Sequence, residues 1–451
     1  MSMMRDSGLL WKPYRAAAAR RPIPLIFAAL VLLAGTVTVS ASKREPEREK
    51  WTAEWISHPT APLREPEVFH FRKIIYLPKK PNKFIVDVSA DNRFILYVNG
   101  ERMGEGPARG DLAHWRYETF DLAPALNAGD NVLAAVVWQF GIYAPQAQVT
   151  DRTAFLLEGD SAAEGIANTN ESWQVEEEAG HTCLLRESSG LYFYRAMGSG
   201  ERIDASKYDW SWKEGGSPSS NWIAASGAIR ESIYPDGSRA SSRYEGPNTQ
   251  WMLVPDTLPA MEYKEVPAGR VVRTNLPGAQ SFPESPVTVP AHAHVKILLD
   301  RATLATAYPE LTTSGGSGAQ IRETYTEALY DSEQKRGNRN EVGNRQALGL
   351  YDEFLPDGGA SRVFMPLWWR VWRYLELDIE TADEPLQLTN MRAYFTAYPF
   401  TEQAHFQASD AQLSQIWELC WRAARLDAHE TYMDTPYWSS CNILETLAFR
   451  R

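Results

Sequence analysis

Cysteine is scarce in this 451-residue sequence, which contains three. Cys183 and Cys420 stand alone and Cys441 lies near the end, so their spacing excludes a disulfide framework and indicates no metal site. Positive charge is also short, because 46 Lys and Arg face 57 Asp and Glu for a net charge of −11. This balance argues against nucleic acid as a partner. No cofactor is predicted.

Long helical patterns are also missing from the first part of the chain, and the sequence from Trp51 onward has strand-like patterns. The chain is 44% hydrophobic, so it can bury ordinary globular cores, and its length allows two to four domains. Aromatic residues make up 12%, with 16 Trp, which fits both β-sandwich cores and sugar-binding surfaces without separating them. The composition therefore favours a mainly β protein.

The N-terminal residues 1–42 have the pattern of an export signal. Arg15, Arg20 and Arg21 form a basic start, residues 25–39 are apolar, and Val39-Ser40-Ala41 offers small residues for cleavage. The apolar run is shorter than the roughly 20 residues that a membrane span prefers, which favours cleavage. The alternative is an uncleaved anchor through residues 22–41. Either reading predicts an exported protein, periplasmic or extracellular.

Two tandem β-sandwich domains are predicted, over residues 51–228 and 229–400. Residues 94–98 run into Asn99-Gly100, the strongest hairpin signal in the chain, because both residues tolerate positive φ. The Gly- and Pro-rich segment 106–111 is either a ligand loop or a tight crossover, and backbone geometry favours the crossover. His292 and His294 are predicted on one strand face, where they could bind a metal, but no third ligand is apparent.

Residues 368–379 alternate as a strand whose two faces differ. Trp369, Val371 and the apolar positions 375, 377 and 379 are predicted to face a core. Trp368, Arg370, Trp372, Tyr374 and Glu376 lie on the other face. That face suits either a sugar or a neighbouring domain, and its place beside a domain junction favours the domain interface.

A single amphipathic helix is predicted from Asp410 to about Ala428. The pattern Ser409-Asp-Ala-Gln412 indicates a capping box, and apolar residues then recur at helical spacing. The next stretch, Glu430 to Trp438, combines two carboxylates with two tyrosines and a tryptophan. Carboxylates accept hydroxyl protons and rings cover C–H faces, so this loop suits a sugar. The plainer alternative is a structured loop after a helix.

The amino-acid sequences of several segments resemble those of bacterial α-L-rhamnosidases of glycoside hydrolase family 78. The motifs are His-Glu-Thr-Tyr-Met-Asp-Thr-Pro-Tyr-Trp at 429–438, the segments 89–101, 106–111 and 114–117, and the Trp-rich segment 364–374. The resemblance implies a galactose-binding-like, jelly-roll sandwich first, a second β-sandwich, and then residues 405–438 as the start of an (α/α)₆ catalytic barrel.

The resemblance also implies a reaction, the inverting hydrolysis of terminal α-L-rhamnosides, and hence rhamnose-containing glycosides as partners. Inversion requires an acid and a base about 6.5–9.5 Å apart on opposite faces of the sugar. In the family motif the acid follows Pro-Tyr-Trp, and here Ser439 holds that position. Asp434 matches a sugar-contacting aspartate, with His429, Glu430 and Tyr432 beside it. We expect these four residues to be remnants of a substrate site.

A shifted reading frame accounts for the departure at Ser439. A nucleotide string that encodes the family's continuation, Glu-Gln-Leu-Gln-Tyr-Ile-Gly-Asp-Thr-Arg-Ile, encodes residues 439–449 of this chain once its first G is removed. We therefore expect residues 439–451 to be a frameshift tail, the barrel to be truncated, and the chain to be catalytically inactive. The alternative is a secreted carbohydrate-binding module that acts without catalysis.

Overall fold

A computed structural model describes residues 51–62, 65–145, 148–184, 198–215, 221–227, 251–433 and 435–437. The predicted export signal (1–42) and frameshift tail (439–451) lie outside the described residues. No helix within these ranges is long and apolar enough to cross a membrane. The described chain is mainly β, as predicted.

The strands follow in chain order, with one α-helix near the end. The first fourteen are β1 Ile56–Ser57, β2 Glu67–Leu77, β3 Ile85–Asp91, β4 Arg93–Val98, β5 Glu101–Gly106, β6 Trp115–Asp121, β7 Gly129–Gln139, β8 Ala154–Gly159, β9 Gln174–Glu177, β10 His181–Leu184, β11 Gly200–Asp204, β12 Ile223–Ala224, β13 Ser226–Gly227 and β14 Leu253–Pro255. The others are β15 Lys264–Pro267, β16 Arg270–Thr274, β17 Val287–Val289, β18 His294–Gly315, β19 Gln320–Thr326, β20 Leu350–Leu355, β21 Arg362–Phe364, β22 Arg370–Glu380 and β23 Leu386–Phe395, followed by α1 Ala411–Leu426. Short 3₁₀ turns cover Gly141–Tyr143, Glu164–Ala167 and Ala279–Ser281.

The first sandwich is built from two six-stranded sheets. Their orders are β13-β1-β8-β3-β6-β14 and β12-β9-β2-β7-β4-β5. Phe71, Phe94, Phe155 and Trp173 lie between them in a fully buried core. The predicted hairpin is confirmed, because β4 and β5 pair antiparallel around Asn99-Gly100, whose φ angles are 51° and 81°.

The second β region is organised by β18. Its first half pairs with β22 and its second half with β23, so one continuous strand joins the two halves of a single eleven-stranded sheet of order β10-β11-β20-β19-β22-β18-β23-β15. The pairing with β22 shifts register between Asp300 and Ala305, which inserts residues 301–304 as a bulge. Strands of both halves contribute to one core, which includes Phe354, Phe364 and Trp372. The predicted fold class is therefore confirmed.

Two segments cross the predicted domain boundary at residues 228/229. The hairpin β10–β11, placed by the sequence in the first sandwich, pairs with β20 of the second β region. Conversely, β14 pairs with β6 of the first sandwich. Strands of three to five residues carry little sequence signal, and the sheet edge available to them decides where they pair.

The face prediction for β22 is correct in part. Leu375, Leu377 and Ile379 lie in the core as predicted, but Trp372 lies there too. Trp369 and Val371 instead pack with Trp368 in a separate cluster between the two β regions. The physical reason is the bulge opposite, which breaks strict alternation.

The predicted helix is present as α1. Its N-cap is Asp410, one residue later than the predicted cap Ser409, and its carboxylate accepts a hydrogen bond from the Gln412 N–H. The apolar side chains of Leu413, Ile416 and Leu419 are exposed among the described residues. Helix formation thus follows the sequence pattern even where the apolar face lacks packing.

Candidate functional site

The chain turns sharply after α1. Met433 N–H donates to the Asp427 carbonyl at 2.7 Å, His429 N–H donates to the Thr431 carbonyl at 3.1 Å, and Ala428 bridges Tyr432. The Ala428 carbonyl also accepts from Tyr398 N–H at 2.8 Å. These bonds fix residues 427–433, which we call the motif loop, against the second β region.

Glu430 of the motif loop reaches the first sandwich. Its Oε1 accepts a hydrogen bond from Arg93 Nη2 at 2.7 Å, and its Oε2 accepts from the Arg109 backbone N–H at 2.9 Å. Arg109 Nε lies 4.0 Å from the same Oε2. The Arg93 and Glu430 side chains are only 5% and 13% exposed, so this ion pair is well shielded from water.

The environment of Glu430 keeps it ionised. Burial alone would raise its pKa, but the positive charges of Arg93 and Arg109, with their hydrogen bonds, hold the pKa of this carboxyl below its ordinary value. Glu430 is thus a permanent anion at neutral pH, and its partners are cations of the other β region.

The rings of Trp368 and Trp369 lie beside this ion pair. The Arg93 guanidinium lies 4.8 Å from the ring centre of Trp368, and that of Arg109 lies 5.8 Å from it. His429 stacks on Trp369 with centroids 4.3 Å apart and planes inclined by 6°. Burial lowers the pKa of His429 to about 3, so the imidazole is neutral across the physiological range.

A narrow cleft lies at this junction. It encloses about 340 Å³ including its open mouth, and inside it has room for about one water molecule. Its polar lining comes from both β regions and the motif loop: Arg93, Glu105, Arg109, Tyr308, Thr396, His429, Glu430 and Thr431. A sugar ring is far larger than this interior.

A second anchor lies just after the motif loop, at residues 436–437 of the motif. Tyr437 is buried, and its hydroxyl donates to the Tyr325 carbonyl at 3.0 Å. Gly349 makes room for it, because a Cβ there would lie 2.5 Å from the Tyr437 hydroxyl oxygen and 1.9 Å from the Tyr325 carbonyl oxygen. The 436–437 segment therefore packs onto β19 and the approach to β20.

A buried ionic network lies next to Trp368. Arg370 bonds Asp352 at 2.7 and 2.8 Å and Glu201 Oε1 at 2.8 Å. Glu201 Oε2 accepts from Leu367 N–H at 2.8 Å and lies 2.9 Å from His181 Nε2. This network ties the exchanged hairpin β10–β11 to β20 and β22. Arg370 was predicted on a face that meets a sugar or a neighbouring domain. This prediction is corrected, because the Arg370 side chain is buried within the network.

The predicted site residues have different outcomes. The structure brings His429 and Glu430 together in the cleft, whereas Tyr432 is 60% exposed. Asp434 and Ser439 lie outside the described residues. No role for Arg93 or Arg109 could be predicted from the sequence, although both lie inside the segments that carry the family resemblance. Their partner lies more than 300 positions away.

Two further candidate segments make defined contacts. The segment 106–111 crosses from β5 to β6 and also contacts the motif loop through Arg109. His292 precedes β18 in a left-handed conformation and lies 3.5 Å from Asp383, whereas His294 Nε2 lies 2.6 Å from Asp378. The two imidazoles thus have separate carboxylate partners. Within the described ranges no group of His, Cys, Asp and Glu could hold a metal ion.

Comparison with known proteins supports the fold. No family model matches the sequence, and no curated protein matches it. The structure of the glycoside hydrolase family 78 rhamnosidase of Bacillus sp. GL1 matches 87% of this chain with a TM-score of 0.68 and 14% identity. The α-L-rhamnosidase of Aspergillus terreus matches 85% with a TM-score of 0.57 and 16% identity. That of Streptomyces avermitilis, complexed with L-rhamnose, matches 82% with a TM-score of 0.55 and 19% identity.

The matches cover the solved structures only in part. This chain spans 60%, 41% and 32% of their respective lengths. At these identities the similarity concerns the backbone architecture rather than individual side chains. The fold of this chain is therefore shared with solved α-L-rhamnosidases, as its sequence motifs predicted.

Proposed function

We propose that this chain is the β-sandwich portion of an α-L-rhamnosidase-family protein, whose complete form hydrolyses terminal α-L-rhamnosides with inversion. The observation that carries the proposal is the coincidence of two independent signals. The motif at 429–438 resembles the family's catalytic-site sequence, and its first residues are held in the described fold by both β regions. The fold itself matches rhamnosidase structures over most of the chain.

We further propose that the 451-residue polypeptide is itself inactive on rhamnosides. A glycosidase acid must hold a proton near neutral pH, which requires a raised pKa. Glu430 has the opposite property, because Arg93 and Arg109 outweigh its burial and lower its pKa. At the position of the family acid stands Ser439, whose hydroxyl is too weakly acidic to replace a carboxylic acid. Glu430 is therefore a structural anion of the loop.

The alternative of a non-catalytic sugar-binding module has less support. The cleft at the motif loop is too small for a sugar ring, and its Trp368 and Trp369 faces are already covered by guanidinium groups and by His429. Stacking on a sugar needs an open aromatic face.

Hydrolysis of p-nitrophenyl α-L-rhamnoside by the purified full chain tests inactivity. We expect no nitrophenol release above the enzyme-free blank, with the β-D-glucoside as a matched substrate to detect contaminating glycosidases. Release from the rhamnoside alone, suppressed by excess L-rhamnose, would refute the proposal.

A further inference from the structure

Two arginines meet where α1 crosses the bulge of β18. Arg301 opens the bulge, and its Nε donates to the Pro267 carbonyl at 2.9 Å. Arg422 comes from α1, and its Nη2 donates to the Leu304 carbonyl, in the same bulge, at 2.7 Å. Each guanidinium is thus anchored through one nitrogen to a backbone oxygen, that of Pro267 in β15 for Arg301 and that of Leu304 in the bulge for Arg422. Each retains further N–H donors, because a guanidinium has five.

Neither guanidinium has a carboxylate partner among the described residues. The acid nearest in sequence to Arg301, Asp300, accepts instead from Arg373 at 3.0 and 3.2 Å. Arg301 Nη1 is buried without any hydrogen-bond acceptor. Its guanidinium also lies 5.6 Å from the ring centre of Trp372. Within the described ranges, this pair of cations therefore has no acidic side chain to balance its charge.

The arrangement has an electrostatic cost. Burial, and then the positive charge of Arg422, lower the pKa of Arg301 to about 10. The positive charges of Arg301 and Arg422 repel each other, and the buried Nη1 of Arg301 lacks a hydrogen-bond acceptor. A bound anion would relieve both costs. Planar guanidinium donors suit the oxygens of carboxylate, sulfate and phosphate groups.

We propose that Arg301 and Arg422 bind an oxyanion, and that in an extracellular glycan this is the carboxylate or sulfate group of an acidic sugar. The first half of the proposal rests on the two side chains alone. The second half rests also on the proposed function, because it takes the chain's partner to be a polysaccharide. The site is separate from the cleft at Glu430, since none of its residues lines that cleft.

Sulfate binding to the full chain, measured by calorimetry at low ionic strength, tests the first half. We expect Arg301→Gln and Arg422→Gln each to weaken sulfate binding about tenfold or more, since each removes one charged donor group. The matched control is Lys83→Gln, which removes one exposed positive charge from the first sandwich, away from Arg301 and Arg422, and should bind as the parent does. Should Arg301→Gln fail to fold, the exposed Arg422 decides by itself. No binding to the parent, or parental affinity in Arg422→Gln, would overturn the site.

Competition distinguishes an acidic sugar from a free inorganic anion. A trigalacturonate should displace sulfate from the parent, whereas neutral galactotriose should not. If the acidic oligosaccharide fails to compete while sulfate binds, the acidic-glycan half is wrong. Sulfate binding requires no rhamnoside chemistry, so failure of the proposed function would be visible separately, in the hydrolysis assay.

Discussion

Replacing Glu430 should destabilise the whole described structure, because this residue joins the two β regions. In Glu430→Gln the side-chain volume is kept and the charge is lost, so Arg93 is left with a buried, uncompensated charge. Both partners are nearly inaccessible, at 5% and 13% exposure, so solvent does not screen the loss. Removing one partner of such a pair costs about 3–5 kcal/mol.

A double-mutant cycle isolates the pair from other effects. Arg93→Met also removes a hydrogen bond to the Pro107 carbonyl, 2.7 Å long, and a contact with Trp368. The double variant Arg93→Met/Glu430→Gln should nevertheless be more stable than the sum of the single effects by about 0.5–3 kcal/mol, because neither charge is then left alone. The free energy of unfolding is measured by urea titration followed by tryptophan fluorescence and circular dichroism.

The pH dependence of the same variant gives an independent check. The pKa of Glu430 in the folded chain lies below the ordinary value of 4.5. Its stabilisation is therefore complete above that ordinary value and is lost as the pH falls through the lowered one. The difference between parent and Glu430→Gln should be constant from pH 6 to 8 and shrink below about 4.5. The control Glu333→Gln, an exposed partner of Lys335, should change stability by less than about 0.5 kcal/mol. A Glu430→Gln effect equally small at pH 7 would refute the reasoning.

Three further predictions concern other parts of the chain. Gly349→Ala should lower the melting temperature and expose Tyr437 to iodination, whereas Gly165→Ala, with open space around its Cβ position, should do neither. Burial raises the pKa of Glu178 to about 8, so its contribution to stability is present at acidic pH and is lost as the pH rises through 8. The Glu178→Gln variant should not show this loss when its free energy of unfolding is measured by urea titration from pH 5 to 9. A pH profile like that of the parent would contradict the prediction. Genomic sequencing across codons 430–451 should show the shifted frame after Trp438, and an intact frame with no rhamnosidase-like sequence in any frame downstream would contradict it.

Local features of the fold could be predicted from the sequence. The Asn99-Gly100 hairpin and α1 follow from rules that act over a few residues, namely positive φ in a turn and helical spacing of apolar groups. The core positions of Leu375 and Leu377 follow from alternation in the same way. Each of these predictions needs only the segment itself.

Non-local features could not be predicted in this way. The bulge at 301–304 has no obvious turn residues, and it moved Trp372 into the core. Glu430 could be picked out by its motif, but its pairing with Arg93 spans 337 positions, and nothing in either segment specifies the other. The sheet that β10 and β11 join likewise depends on an edge formed by β20. Chemistry that depends on such meetings becomes visible only in three dimensions.

The exchange of strands between the two β regions imposes an order on biosynthesis. The hairpin β10–β11 leaves the ribosome roughly 150 residues before its partner β20. At about 5–20 residues per second, its edge stays unpaired for roughly 7 to 30 seconds. The first sandwich waits likewise for β14. Neither region can be completed while the chain is still short, so unpaired strand edges persist for longer than they would in two independent sandwiches.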